Sequence, residues 1–228
     1  MEKKGPLNLS SLKEQVYEYL RFELKRGNLK PGSFIKMDKT CEKLGVSKTP
    51  LREALLQLEA EGFVTILPRR GVVVNLLSLE EIKDIYQVIG ALESTAFISS
   101  VPLLSSSDVE RMKNLNQSMK KAIEAGNFDL YYEKNLNFHD TYITRAGNKM
   151  LKKIVETLKK RLYDFPRPEK YIKEWEEASI AEHYHLLSLL SEKKIQEAAR
   201  FIREVHWSFE VQKKFIVKYY GLENEDEK

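Results

Sequence analysis

The sequence predicts a mainly α-helical protein in two parts, a winged helix-turn-helix over residues 1–77 followed by an antiparallel all-helical bundle over residues 78–228. Three observations predict it. Apolar residues recur at helical spacing in nearly every segment, the one switch to a strand-like period falls at residues 63–75, and the excess positive charge is confined to the first part. Of the 38 basic and 34 acidic residues, 14 and 9 lie in residues 1–77, against 24 and 25 in the remainder. A basic module joined to a nearly neutral one predicts a polyanionic partner for the first part only.

The elements of the first part follow in order. Residues 10–26 place Leu12, Val16, Tyr19 or Leu20, and Leu24 on one helical stripe with Tyr17 beside them, and Gly27 and the turn Lys30-Pro31-Gly32 end the helix. A short extended piece follows at Phe34 and Ile35. Residues 38–44 predict a second short helix ended by Gly45, a residue suited to the left-handed conformation at a helix terminus. The third helix begins inside GVSKTPLREALLQLEAEGF, residues 45–63. Either Thr49 caps it with Pro50 at the first helical position, or Ser47 caps it two residues earlier. Leu51, Ala54, Leu55 and Leu58 form its inward face, which leaves Lys48, Thr49, Arg52 and Gln57 outward. After Gly62, two β-branched runs flank Pro68-Arg69-Arg70-Gly71, a two-stranded hairpin with a basic tip.

Charge on the first turn of a helix is out of place in a core and useful in a DNA groove, where cations and hydroxyls meet phosphates and base edges. Lys48 and Arg52 are placed to donate to guanine O6 and N7, with Arg52 the better bidentate donor, and Arg69 and Arg70 are placed to reach along the backbone or into the minor groove. The plainer reading is a set of solvated charges on a small α/β domain. The run Gly27-Asn28-Leu29-Lys30-Pro31-Gly32, then Leu44-Gly45-Val46-Ser47-Lys48-Thr49-Pro50-Leu51-Arg52-Glu53-Ala54-Leu55, Glu61-Gly62 and Arg70-Gly71-Val72-Val73-Val74, resembles the GntR family of bacterial transcription regulators. The resemblance covers about 65 residues and implies DNA contacts from Thr49, Arg52 and the wing around Gly71. Lys48 stands where the family usually has arginine, and Asp38 stands where it often has another arginine.

From residue 78 onward the chain reads as helix after helix. The segments run from SLEEIKDIYQVIGALESTAF through PEKYIKEWEEASIAEHYHLLSLLSE to one long final helix, KKIQEAARFIREVHWSFEVQKKFIVKYYG. Ser78 with Glu81 predicts a capping box, and Gly126 and Gly147 fall at helix ends. Bundles of this kind place ligand sites between helices. All four histidines lie here. His139, His183 and His206 share apolar stripes on three different helices, whereas His185 falls with Ala181, Glu182 and Ser188 on a polar boundary. Three inward imidazoles suit a divalent transition metal such as zinc or nickel, although a single apolar-face histidine is more often a hydrogen-bonded core residue.

The bundle also resembles the FCD ligand-binding domain found in one subgroup of that family. The resemblance rests on Asn135-Leu136-Asn137-Phe138-His139, Gly147-Asn148, Glu182-His183 and His206. It implies a metal at the three histidines with Asn135, in place of an aspartate, as fourth ligand, and an effector of small-carboxylate type. Ile89 replaces the arginine expected ahead of Leu92-Glu93. The expected function is a ligand-responsive, cytoplasmic repressor that binds a palindromic double-stranded DNA operator as a homodimer. The alternative is a DNA-binding regulator whose helical part only dimerises, with core histidines or a structural metal.

Composition narrows the remaining classes. One cysteine, Cys41, excludes an internal disulfide. No apolar run approaches the roughly 18 to 20 residues needed to span a bilayer, and MEKKGPLNLS lacks the apolar core of a signal peptide. An enzyme is not expected, since a di-metal bundle needs paired Glu-x-x-His motifs and the chain offers only Glu182-x-x-His185.

Overall fold

The structure, a computed structural model, describes residues 11–169 and 171–222. The leader reading of MEKKGPLNLS, and Lys170 of the expected eighth helix, lie outside the described residues. The chain divides into two compact units, one of residues 1–77 with 160–167 and one of residues 78–159 with 168–228.

In the first unit, α1 (Leu12–Lys25) starts at a capping box in which Ser11 and Glu14 satisfy each other's backbone N–H groups. It buries Val16, Tyr17, Leu20 and Leu24, while Leu12 at the exposed end leaves the stripe. The second helix, α2 (Met37–Leu44), ends at Gly45 with φ 64°, the left-handed cap that the glycine permits. Next comes α3 (Lys48–Ala60), with Ser47 at the N-cap position but making no side-chain capping bond, so Pro50 occupies the third helical position. There its missing N–H breaks no helix bond. Leu51, Ala54, Leu55 and Leu58 are each at most 1% exposed and hold α3 to the domain.

The expected two-stranded wing has three strands. Strand β1 (Phe34–Ile35) joins β2 (Val64–Leu67) and β3 (Gly71–Val74) in the antiparallel order β1-β3-β2, with Phe34 opposite Val73 and Ile35 opposite Val72. Two residues are too few to show alternation, so this partner of β3 had no periodic signal. Residues 160–167 complete the unit, with Phe165 stacked on Phe63 at a centroid distance of 6.3 Å.

The second unit is helical. Among the described residues it contains α4 (Leu79–Ser100), α5 (Ser106–Glu124), α6 (Phe128–Arg145), most of α7 (Lys149–Asp164), α8 (Lys173–Ser191), α9 (Ile195–Phe201) and α10 (Phe209–Tyr220). Ser78 and Glu81 form the expected capping box on α4, and Ser105 with Asp108 forms another on α5. Ile82, Ile89, Phe97, Met112, Met119, Phe138 and Tyr142 are fully buried between the helices. The expected helix beginning near Pro168 starts instead at Lys173.

The expected final helix is interrupted. A π-helical stretch, Ile202–His206, follows α9, Trp207 leaves helical geometry at φ −104°, ψ 31°, and the Ser208 side chain caps a new helix by accepting from the Val211 N–H at 3.4 Å. The apolar period continues across the break, which is why the segment reads as one helix. No helix of the described residues is long and apolar enough to cross a membrane.

Candidate metal centre and nucleic-acid interface

In the first unit, Lys48, Thr49 and Arg52 are exposed on the first turn and a half of α3, and Arg69 and Arg70 are exposed at the wing tip. A three-residue loop, Pro68-Arg69-Arg70, joins β2 to β3, and the Arg70 N–H donates to the Leu67 carbonyl at 3.0 Å. Arg69 holds φ 62° without being a glycine, and Gly71 holds φ 110°, a value that no side chain adopts without strain. Asp38 at the start of α2 carries a further role that its sequence position left unassigned. Its Oδ1 lies 2.8 Å from Lys48 Nζ, so the free protein holds one of the candidate DNA cations in an exposed ion pair.

In the second unit, α6, α8 and the π-helical stretch bring His139, His183 and His206 together. One ligand atom from each lies within 4.8 Å of the other two, and His185 is not among them. The ring centroids form a nearly regular triangle of 5.0 to 5.1 Å sides. His139 and His183 are 1% exposed, and the His206 side chain is 12% exposed.

Every Nδ1 is committed to a neighbour. His139 Nδ1 lies 2.8 Å from Glu93 Oε2 on α4, and His206 Nδ1 lies 2.6 Å from Glu182 Oε2 on α8. His183 Nδ1 donates to Asn116 Oδ1 at 3.2 Å, an orientation fixed because the Asn116 amide donates its N–H to the Ile180 carbonyl. Acceptors on all three Nδ1 positions set the proton there and leave the Nε2 lone pairs free.

Two of those lone pairs face each other, with His183 Nε2 and His139 Nε2 3.3 Å apart. Unprotonated nitrogens at that distance repel unless a cation lies between them. Two nitrogens bound at zinc distances of about 2.0–2.1 Å and a tetrahedral angle stand about 3.3–3.4 Å apart. A fourth polar atom is also uncommitted: Asn135 Oδ1, one helical turn before His139 on α6, is buried and has no hydrogen-bond donor. The donor set therefore fits a divalent transition ion.

The electrostatics agree with neutral rings at His139 and His183. Burial pushes His139 down to about 4, against the opposing pull of Glu93, and pushes His183 well below the usual imidazole range. Burial opposes ionisation of Glu93, but His139 and Lys159 hold its carboxyl well below the usual carboxylate range. Lys159 Nζ on α7 sits 2.5 Å from Glu93 Oε1, with both side chains buried. The Tyr142 hydroxyl donates to Glu93 Oε2 as well.

Sequence reasoning missed this supporting layer. Glu93 carried a usable signal, since it is the one charge in residues 87–107, a run too apolar to tolerate an idle carboxylate. Lys159 carried another, because the apolar stripe Leu151, Val155, Leu162 passes through it.

Comparison with known proteins agrees with both units. The model of bacterial regulatory proteins of the gntR family matches residues 12–74, and that of the FCD domain matches residues 84–206. The HTH-type transcriptional regulator McbR of Escherichia coli K12 is 28% identical over 206 residues, covering 86% of this chain and 89% of that protein. The Nta operon transcriptional regulator of Aminobacter aminovorans is 28% identical over 179 residues, 77% of this chain and 81% of that protein. The solved structure of E. coli McbR/YncC shares the fold at a TM-score of 0.67 and 24% identity, covering 93% of this chain and 99% of that one. These relatives are transcriptional regulators rather than enzymes.

Proposed function

The chain belongs to the GntR family of bacterial regulatory proteins and carries an FCD domain, and from that premise we propose that this DNA-binding regulator is a metal-dependent repressor released by a small carboxylate. The winged helix binds each half of a palindromic operator, so the working form is a homodimer. In each copy α3 enters the major groove. Arg52 reads a base edge, Lys48 and Thr49 meet phosphate or base, and Arg69 and Arg70 follow the backbone with Gly71 shaping the tip.

His139, His183 and His206 would hold a zinc or nickel ion through Nε2, with Asn135 Oδ1 as a fourth ligand. A bound divalent ion supplies a Lewis-acidic position for a carboxylate oxygen. Glu93, Asn116 and Glu182 hold the rings in the tautomer that leaves Nε2 available. Effector binding favours one arrangement of the bundle and lowers affinity for the operator.

The observation that carries the metal reading is the close Nε2 pair, whose Nδ1 atoms both have acceptors. Metal content of the purified full chain tests it. The parent and His185→Ala should carry about one ion per chain, and His139→Ala, His183→Ala and His206→Ala should lose it while keeping helical circular dichroism. Equal metal, or none, in all five folded proteins supports the alternative in which the histidines only fill the core.

A further inference from the structure

We infer that the trihistidine centre admits a single negative charge, so that its ligand is a small monocarboxylate, recognised by the indole N–H of Trp207 and the ammonium of Lys159. This rests on the metal reading above and goes beyond it by naming the charge of the ligand and the side chains that read it.

The charged groups around the three rings are few. Glu93 and Lys159 pair with each other beside His139, and Glu182 holds His206. Two carboxylates, one ammonium and three neutral imidazoles carry a net charge of −1, so a divalent ion brings the centre to +1. Asn135 is decisive in that count, because an aspartate at the same place would bring it to zero. Glu93, Lys159, His139 and His183 are at most 6% exposed, so solvent offsets little of the excess. One anionic oxygen pair neutralises it, whereas a dicarboxylate would restore a buried net charge of −1.

Trp207 supplies the second, independent observation. Its indole is 5% exposed, and Nε1–H has no acceptor, an uncommon and costly condition for a buried donor. The ring stands edge-on to His206 at 5.6 Å and to His139 at 6.2 Å, with Lys159 Nζ 5.2 Å from its centroid. Gly90 makes room for it on α4, since a Cβ there would lie 3.1 Å from Trp207 Cβ. Ile89, the neighbouring residue on α4, is apolar and fully buried, so the cation for an incoming carboxylate comes from α7. A donor without an acceptor and a cation beside a metal-binding triad form a receptor for one carboxylate.

Calorimetric titration of the zinc-loaded full chain tests this, using acetate, propionate and lactate against succinate and malate, with metal content measured in every sample. The monocarboxylates should bind at least about tenfold more tightly than the dicarboxylates. Trp207→Phe, which keeps the packing and removes the N–H, should weaken the best monocarboxylate about tenfold or more at unchanged metal content. Asn135→Asp should keep the metal and weaken the same ligand by a similar factor. Absence of metal from the parent protein overturns the metal reading and this inference together. A metal-loaded protein that binds no monocarboxylate, prefers dicarboxylates, or is indifferent to Trp207→Phe overturns this inference alone.

Discussion

At the scale of single residues, the candidate DNA face is tuned by a carboxylate that the fold places beside it. Lys48 and Asp38 form an exposed pair at 2.8 Å, with side chains 71% and 83% exposed, and the neighbouring acid raises the lysine above its ordinary range. A phosphate must compete with Asp38 for the ammonium, and the carboxylate itself repels DNA. Arg52, exposed on the same face, stands where it can act as the reader. The two positions should therefore respond with opposite sign. Arg52→Ala should lower operator affinity by about 1–3 kcal/mol and relax preference at one base pair, while Asp38→Asn should raise affinity, because the Lys48 ammonium is then released to phosphate and the repelling carboxylate is gone. Fluorescence anisotropy with operator and scrambled duplexes, over a range of salt, measures both. Weaker binding by Asp38→Asn would refute the competitive role of that carboxylate. Lys48, Thr49 and Arg52 were legible because an amphipathic helix declares its outward face in sequence; the Lys48–Asp38 pair was not, because it depends on how α2 and α3 cross.

At the scale of elements, the apolar period located the helices but not the break that shapes the site. The π-helical stretch carries His206 and ends at Trp207, and α10 begins afresh behind it. Such stretches concentrate at functional sites because the extra residue redirects a side chain. Gln212, on the first turn of α10, holds this geometry. Its Nε2 donates to the Val205 carbonyl and to Glu182 Oε1, both at 3.2 Å, and its Oε1 accepts from the Trp175 indole N–H at 2.8 Å. Because Glu182 in turn holds His206 Nδ1, Gln212 reaches the candidate metal site through one intermediate residue. Gln212→Leu should weaken zinc binding about 10–100-fold, the usual worth of a supporting hydrogen bond at a metal site, with helical content unchanged. Competition against a chromogenic chelator gives the affinity, and an unaltered value would make Gln212 a packing residue only. Nothing in the spacing of Gln212 distinguishes it from any other polar residue facing a bundle, so its role emerges only when α8 and α10 are seen together. Strand β1 is the same kind of case, defined by its partner rather than by its own two residues.

At the scale of the whole molecule, the candidate DNA face and the candidate metal centre are joined by one chain. Strand β3 of the wing ends at Val74, α4 begins at Leu79, and the same uninterrupted helix carries Glu93, which holds both His139 and Lys159. Glu93 lies fourteen helical steps beyond Leu79, about 21 Å at 1.5 Å per residue. A ligand that draws Lys159 toward its own carboxylate changes the partner of Glu93, and so acts on the helix that leads from the wing. If operator and carboxylate are coupled in this way, thermodynamics makes the coupling reciprocal: the factor by which the ligand lowers operator affinity equals the factor by which operator lowers ligand affinity. A coupling of about 1–3 kcal/mol, typical of such systems, corresponds to about 5–150-fold in each direction. Anisotropy with saturating propionate yields the first factor, and calorimetry of propionate into the zinc-loaded protein–operator complex yields the second. The two should agree within error for the parent protein, and in Trp207→Phe the apparent factor from anisotropy should fall toward unity at propionate concentrations that no longer saturate it. Operator affinity indifferent to bound propionate would separate the metal centre from regulation and leave it a structural site.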